Sequence, residues 1–169
     1  DVNDGIANLV TQWPDRFVGI GTVPLQNADM AVAELERAVK QLGLRGIEIN
    51  THVNGKNLTD PSLGLEKFFR RVDELGVALF MHPNGFTEAN RLLDHYLNNV
   101  IGNPLDTTVA VSHLIFDGVM ERNPGLDFKT AMDQTAKHIP DYRIPPRVLD
   151  SKMLSDALSS RLATVFSRY

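Results

Sequence analysis

The sequence predicts an α/β fold in which short parallel strands alternate with amphipathic helices. Short apolar runs around Val18, Ile47 and Leu79 are each separated from the next by apolar residues at helical spacing. Proline or glycine stands where these segments must stop, at Pro14, Pro24, Gly43 and Gly76. The connections between them are short, as right-handed βαβ units require.

Each element follows from its own residues. Residues 2 to 12 carry a helical pattern of Ile6, Leu9 and Val10 that runs on to Trp13 and is stopped by Pro14. Phe17 to Thr22 reads as a short buried strand. From Ala28 to Leu42 the residues Ala31, Leu35, Ala38 and Leu42 recur at helical spacing, and Gly43 ends the helix. Leu44 to Ile49 is the second strand, and Asn50 to Pro61 a polar loop. Asp60-Pro61 caps a helix to Leu75 that carries Leu65, Phe68, Phe69, Val72 and Leu75 on one face. Val77 to Met81 is the third strand, apolar on both faces as in the interior of a parallel sheet. Helices are expected from Glu88 to Val100 and from Pro104 to Met120, and Leu126-Asp127-Phe128 begins a candidate fourth strand.

After Phe128 the character changes. Lys129 to Asp150 is polar and carries Pro140, Pro145 and Pro146; Ser151 to Ser167 is an amphipathic helix with the stripe Leu154, Leu158, Leu162 and Val165. The chain therefore divides into residues 1–128 and a divergent tail, 129–169, ending in a helix. A closed (β/α)₈ barrel takes about 250 residues, and an open doubly wound sheet takes fewer. The pattern by itself leaves both open.

Composition narrows the function. The 169 residues are 43% hydrophobic and 22% charged, the balance of a globular domain. Seventeen basic and 21 acidic residues give a net charge of −4 with no basic stripe, which argues against nucleic acid as a partner. No apolar stretch is long enough for a bilayer, so no membrane partner is expected. The first residues lack the basic start and apolar core of a signal peptide, and the absence of cysteine fits the cytoplasmic location expected for the chain. The chain starts at Asp1 without an initiator Met and reads as part of a longer product. There is no cysteine, so any metal must be held by His, Asp or Glu.

In parallel α/β folds ligands gather at the carboxyl ends of the strands. The third strand leads into His82-Pro83, and strand alternation puts Ala78, Phe80 and His82 on one face. His82 is thus a candidate metal ligand or general base, against the plainer role of a structural strand-end histidine. His52, after the second strand, is the weaker candidate, with a backbone hydrogen bond as its plainer role. Glu48 is expected either behind a site or paired with Arg45. His95 and His113 fall in predicted helices and His138 in the tail, and none makes a recognised metal pattern. Gly19-x-Gly21 lacks the third glycine and following helix of a dinucleotide fingerprint, and there is no phosphate loop or nucleophile elbow.

Several stretches together resemble one family. They are Pro14-Asp15-Arg16-Phe17, Gly21-Thr22-Val23-Pro24-Leu25-Gln26, Leu42-Gly43-Leu44-Arg45-Gly46-Ile47-Glu48-Ile49, Thr51-His52-Val53-Asn54-Gly55, Phe80-Met81-His82-Pro83 and Gly102-Asn103-Pro104-Leu105-Asp106-Thr107-Thr108. In order and spacing they resemble the amidohydrolase-related family, and within it the aminocarboxymuconate-semialdehyde decarboxylase group. The resemblance implies a (β/α)₈ TIM-barrel type fold, of which this chain holds about half. It implies one divalent metal, zinc first and manganese second, with His82 matching the metal-ligating histidine of the family's His-Pro motif. It also implies a metal-dependent carboxy-lyase acting without oxidation on a small aromatic or muconate-like carboxylic acid, and a homodimer. Hydrolysis of a lactone or amide, or a non-catalytic binding remnant, are the alternatives. The family's His-x-His pair would precede Asp1, Lys129-Thr130-Ala131-Met132 stands where its His-Gly-Gly-Gly motif belongs, and Asp150-Ser151 does not fit its late aspartate. By itself this chain is expected to be inactive.

Overall fold

The computed structural model describes residues 1–126. Helix α1 (Val2–Gln12) starts at a capping box in which the Asp1 side chain accepts from the Asp4 backbone and Asp4 reaches back to the Asp1 backbone. It lies along strand β1 (Ile20–Thr22), and Asn3 clasps that strand's outer edge. Asn3 Nδ2 donates to the Thr22 carbonyl at 2.8 Å, and Asn3 Oδ1 accepts from the Thr22 amide at 2.8 Å. The side-chain amide thus takes the place of a neighbouring strand's peptide. Gly21 permits this approach: a Cβ there would lie 2.9 Å from Leu44 Cδ1 and 3.0 Å from Asn3 Oδ1. The glycine that resembled part of a nucleotide fingerprint serves packing.

The first strand is shorter than expected. Arg16 and Phe17 donate their amides back to the Trp13 carbonyl in a turn, and Val18 is 68% exposed, so pairing begins only at Ile20. Helix α2 (Ala28–Glu36) is capped by the Asn27 side chain and runs on as a π-helical turn, Arg37–Gln41. Strand β2 (Gly46–Asn50) follows. A Cβ on Gly46 would meet the Ala78 carbonyl oxygen at 2.9 Å, so the close approach of the next strand requires glycine there.

The expected polar loop holds a hairpin, β3 (His52–Val53) against β4 (Lys56–Asn57). Its turn is Asn54-Gly55, with φ of 51° and 77°, the left-handed pair that a two-residue hairpin turn needs. A 3₁₀ turn, Pro61–Leu63, capped by Asp60, precedes helix α3 (Glu66–Leu75). Gly76 ends α3 with φ 61°, and strand β5 (Ala78–His82) follows.

The expected helix from Glu88 to Val100 does not form. His95 and Tyr96 have φ of 53° and 60°, and Leu93, Tyr96 and Val100 are 77%, 73% and 64% exposed. A helix whose apolar side chains find nothing to pack on lacks the main source of helical stability. Helical structure resumes as the π turn Asn98–Gly102 and helix α4 (Asn103–Phe116), and Gly118 at φ 75° separates α4 from α5 (Val119–Arg122). Asp127 and Phe128 of the candidate fourth strand, His138 and the tail helix lie outside the described residues.

Strands β1, β2 and β5 form one parallel sheet in that order, so successive strands are neighbours, joined through α2 and α3. Gly21, Ile47, Ile49 and Leu79 are buried. Ile47, Ile49 and Leu79 share their core with Leu35 and Ala38 of the α2 segment, Phe68, Phe69 and Val72 of α3 and Leu114 of α4. The other face carries Ile20, Thr22, Glu48, Asn50, Phe80 and His82, all exposed. β5 was expected to be buried on both faces, yet Phe80 is 44% exposed. A doubly wound sheet has helices on both faces, whereas a barrel keeps them outside and its other face toward the lumen. Consecutive strand order with helices on one side fits an arc of a barrel, and one half of a doubly wound sheet shares this arrangement.

Candidate functional site

The open face has a carboxyl-terminal rim, and the strand register sets what meets there. Asn50, the last residue of β2, is paired with His82, the last of β5, while Glu48 lies between Thr22 and Phe80 one step deeper. Alternation along β5 therefore puts the His82 imidazole at the mouth with Phe80 below it, ring centroids 6.4 Å apart. His82 is exposed and makes no hydrogen bond or ion pair among the described residues. An imidazole at this edge can act as a metal ligand or a proton carrier.

The other sequence candidates separate from it. His52 sits in the hairpin, where its Nδ1 accepts from the Gly55 amide at 3.2 Å, the plainer of its two expected roles. Glu48 forms no ion pair with Arg45 among the described residues, and its exposed carboxylate faces the open side. With Thr22, Gln26, Asn50 and His52 it lines a small cavity of about 60 Å³ at the ends of β1 and β2. His113 lies on α4, its Nδ1 3.0 Å from Asp117 Oδ2. Hydrogen bonding from Thr59, then from His113, holds the Asp117 carboxyl below its ordinary value. This is an i, i+4 pair, and no third acidic or imidazole group joins it to hold a metal among the described residues.

Two residues near the rim were not singled out from the sequence. Thr51, directly after β2, is 2% exposed, and its Oγ1 donates to the carboxylate of Asp106 in the first turn of α4, itself 6% exposed. A buried carboxylate needs such a partner. The residue types gave no hint of the pairing, since the two lie 55 positions apart.

Among the described residues no three His, Asp or Glu side chains converge to hold a metal ion. The imidazole present suits zinc, whereas manganese favours oxygen donors beside it. One such donor fits one position of a coordination shell and does not fill it.

The amidohydrolase family profile matches residues 1–130. The chain belongs to the amidohydrolase family. Among similar proteins of known name is 2-amino-3-carboxymuconate-6-semialdehyde decarboxylase of Dictyostelium discoideum, 41% identical over 125 residues. That match spans 74% of this chain and 34% of the relative, so the amidohydrolase segment covers about a third of the decarboxylase. A similar solved structure is a point mutant of 5-carboxyvanillate decarboxylase from Novosphingobium aromaticivorans, with bound manganese and 3-methoxy-4-hydroxy-5-nitrobenzoic acid. It superposes with a TM-score of 0.69 at 30% identity, over 74% of this chain and 36% of that one. The 2-keto-4-carboxy-3-hexenedioate hydratase of Sphingobium is 34% identical over 89 residues, which are 49% of this chain and 26% of the relative. Amidohydrolase neighbours of this kind imply a TIM-barrel fold for the arc described above. No helix among the described residues is long and apolar enough to cross a membrane.

Proposed function

We propose that the protein is a metal-dependent decarboxylase that removes carbon dioxide, without oxidation, from a small aromatic or muconate-like carboxylic acid. One observation carries the reading: His82 ends the last strand of a barrel arc on its open face, at the rim where such folds place their chemistry. The relatives supply the reaction class, and the manganese of the carboxyvanillate enzyme supports a divalent cation. Zinc suits the same imidazole and stands beside manganese as the metal.

His82 is one ligand in this reading, and the remaining donors come from outside the described residues. When bound, the cation supplies Lewis-acid polarisation of a substrate oxygen. The chain's own rim residues do the rest of what can be named. Asn50 offers an amide opposite the imidazole, and Phe80 gives the floor an apolar ring against which a planar substrate can lie. Residues 1–128 form the barrel part and 129–169 a separate tail, a division supported by the end of the family match at residue 130. A cytoplasmic homodimer completes the proposal.

The hydratase likeness favours a second reading in which water adds to the substrate at the same rim. The full-length protein, loaded with manganese or zinc, separates the two on a panel of hydroxylated aromatic acids and unsaturated dicarboxylic acids. Release of carbon dioxide is the expected result. Water addition without carbon dioxide would replace the decarboxylase reading.

A further inference from the structure

Helix α4 carries Asp106, Ala110 and His113 along one face, continued by its C-cap Asp117, and the polar members all reach the segment that leaves β2. Thr51 Oγ1 donates to Asp106, Asn57 Nδ2 lies 3.0 Å from His113 Nε2, and Thr59 Oγ1 donates to Asp117 Oδ2 at 2.6 Å. At its first residue the same helix reaches the segment that leaves β5. Asn103 Oδ1 accepts from the Gly85 amide at 3.0 Å, and Asn98 Oδ1, one turn earlier, accepts from the Phe86 amide at 3.2 Å. The start of α4 therefore grips both strand exits, and those exits carry Asn50 and His82, which face each other in register.

The contacts of the stripe are not equivalent. Thr51 and Asp106 are buried, whereas the side chains of His113 and Asp117 are 40% and 46% exposed. An acidic residue in a first helical turn is favoured by the helix dipole wherever it points. That preference explains neither the burial of Asp106 nor its bond to a residue from the adjacent strand's exit. A buried, satisfied polar pair holds one geometry more tightly than exposed contacts of the same kind.

The geometry points to Asp106 as a positioning residue: through Thr51 it fixes the end of β2, and so the place of Asn50 opposite the His82 imidazole. This rests on the rim being the reactive site. Displacement of a rim group by a fraction of an ångström lowers turnover without unfolding the protein.

The test uses the full-length protein and the variants Asp106→Ala, Asp106→Asn, Thr51→Val and Thr51→Ser, with His113→Ala as the control from the exposed end of the stripe. Turnover and KM are read together with the NMR signals of isotope-labelled histidine. Asp106→Ala and Thr51→Val should each lower kcat about tenfold or more with little change in KM, and shift the His82 ring signals. Asp106→Asn keeps an acceptor and Thr51→Ser keeps the hydroxyl, so both should recover most of the loss. His113→Ala should stay within about twofold of the parent. Should Asp106→Ala fail to fold, the Thr51 pair decides alone. Unmoved His82 signals in Thr51→Val, or an equal loss in His113→Ala, would overturn the proposal. A parent protein without decarboxylase activity would sink the functional reading only, because the ring signals still report whether Asp106 holds the rim.

Discussion

The two faces of one three-stranded sheet have opposite characters. Toward the helices stand Gly21, Ile47, Ile49 and Leu79, closed over by Leu35, Phe68, Phe69 and Val72. Away from them stand Thr22, Glu48, Asn50, Phe80 and His82, exposed and mostly polar. Successive residues of the same strand thus do different work. Burial on one side supplies the free energy that holds the strands, and the other side is left free to carry groups that would be costly in a core. The face that stabilises the sheet constrains residue size, and the face proposed to carry the chemistry constrains residue type.

The largest expected break in this contrast is Phe69→Ala. Phe69 is 1% exposed and meets Phe68 edge-on at a centroid distance of 5.6 Å. Its truncation should cost about 3–5 kcal/mol in denaturant unfolding. A loss below about 1 kcal/mol would mean that the helix-facing side is not the stabilising one.

A smaller effect sharpens the contrast through pH. On the helix side Arg37 binds Asp1, Asp4 and Glu34, with contacts of 2.9, 2.6 and 2.8 Å. Hydrogen bonding to Arg37 is the main cause that holds the Asp4 and Glu34 carboxyls below their ordinary values, and Asn3 also donates to Glu34. A carboxyl whose pKa is lower in the folded state stabilises fully above its unfolded pKa. That contribution disappears as pH falls through the lowered folded value. Melting temperature should therefore drop on acidification below the ordinary carboxylate range, and drop less steeply in Arg37→Ala. A drop as steep in Arg37→Ala as in the parent would contradict the stabilising role of the Arg37 ion pairs.

The sequence was readable where local pattern and burial agree. Helix α1 spans the residues its pattern marked, and the strands around Ile47 and Leu79 appear within a residue or two of their expected bounds. The face carrying Phe80 and His82 followed from alternation alone. Barrel against doubly wound sheet was not decidable from periodicity, because it depends on which face the helices cover. The β3–β4 hairpin had a local signal in Asn54-Gly55, hidden by the shortness of its strands. The false helix at 88–100 shows the opposite error: apolar residues were present at workable spacing, with no partner surface to bury them. The Thr51–Asp106 pair had no local signal, since the fold alone brings its members together.

Metal content in His82→Ala tests the central claim most directly. The full-length parent and variant are purified alike, and bound manganese and zinc are measured beside the melting temperature. If His82 is a ligand on the open face, the variant retains less than about a tenth of the parent's metal, because a coordination shell that loses one of its few donors binds far more weakly. Its apo form should melt within a few degrees of the parent's apo form, since an exposed side chain contributes little to folding. Full metal content in the variant would contradict the assignment of His82 as a ligand.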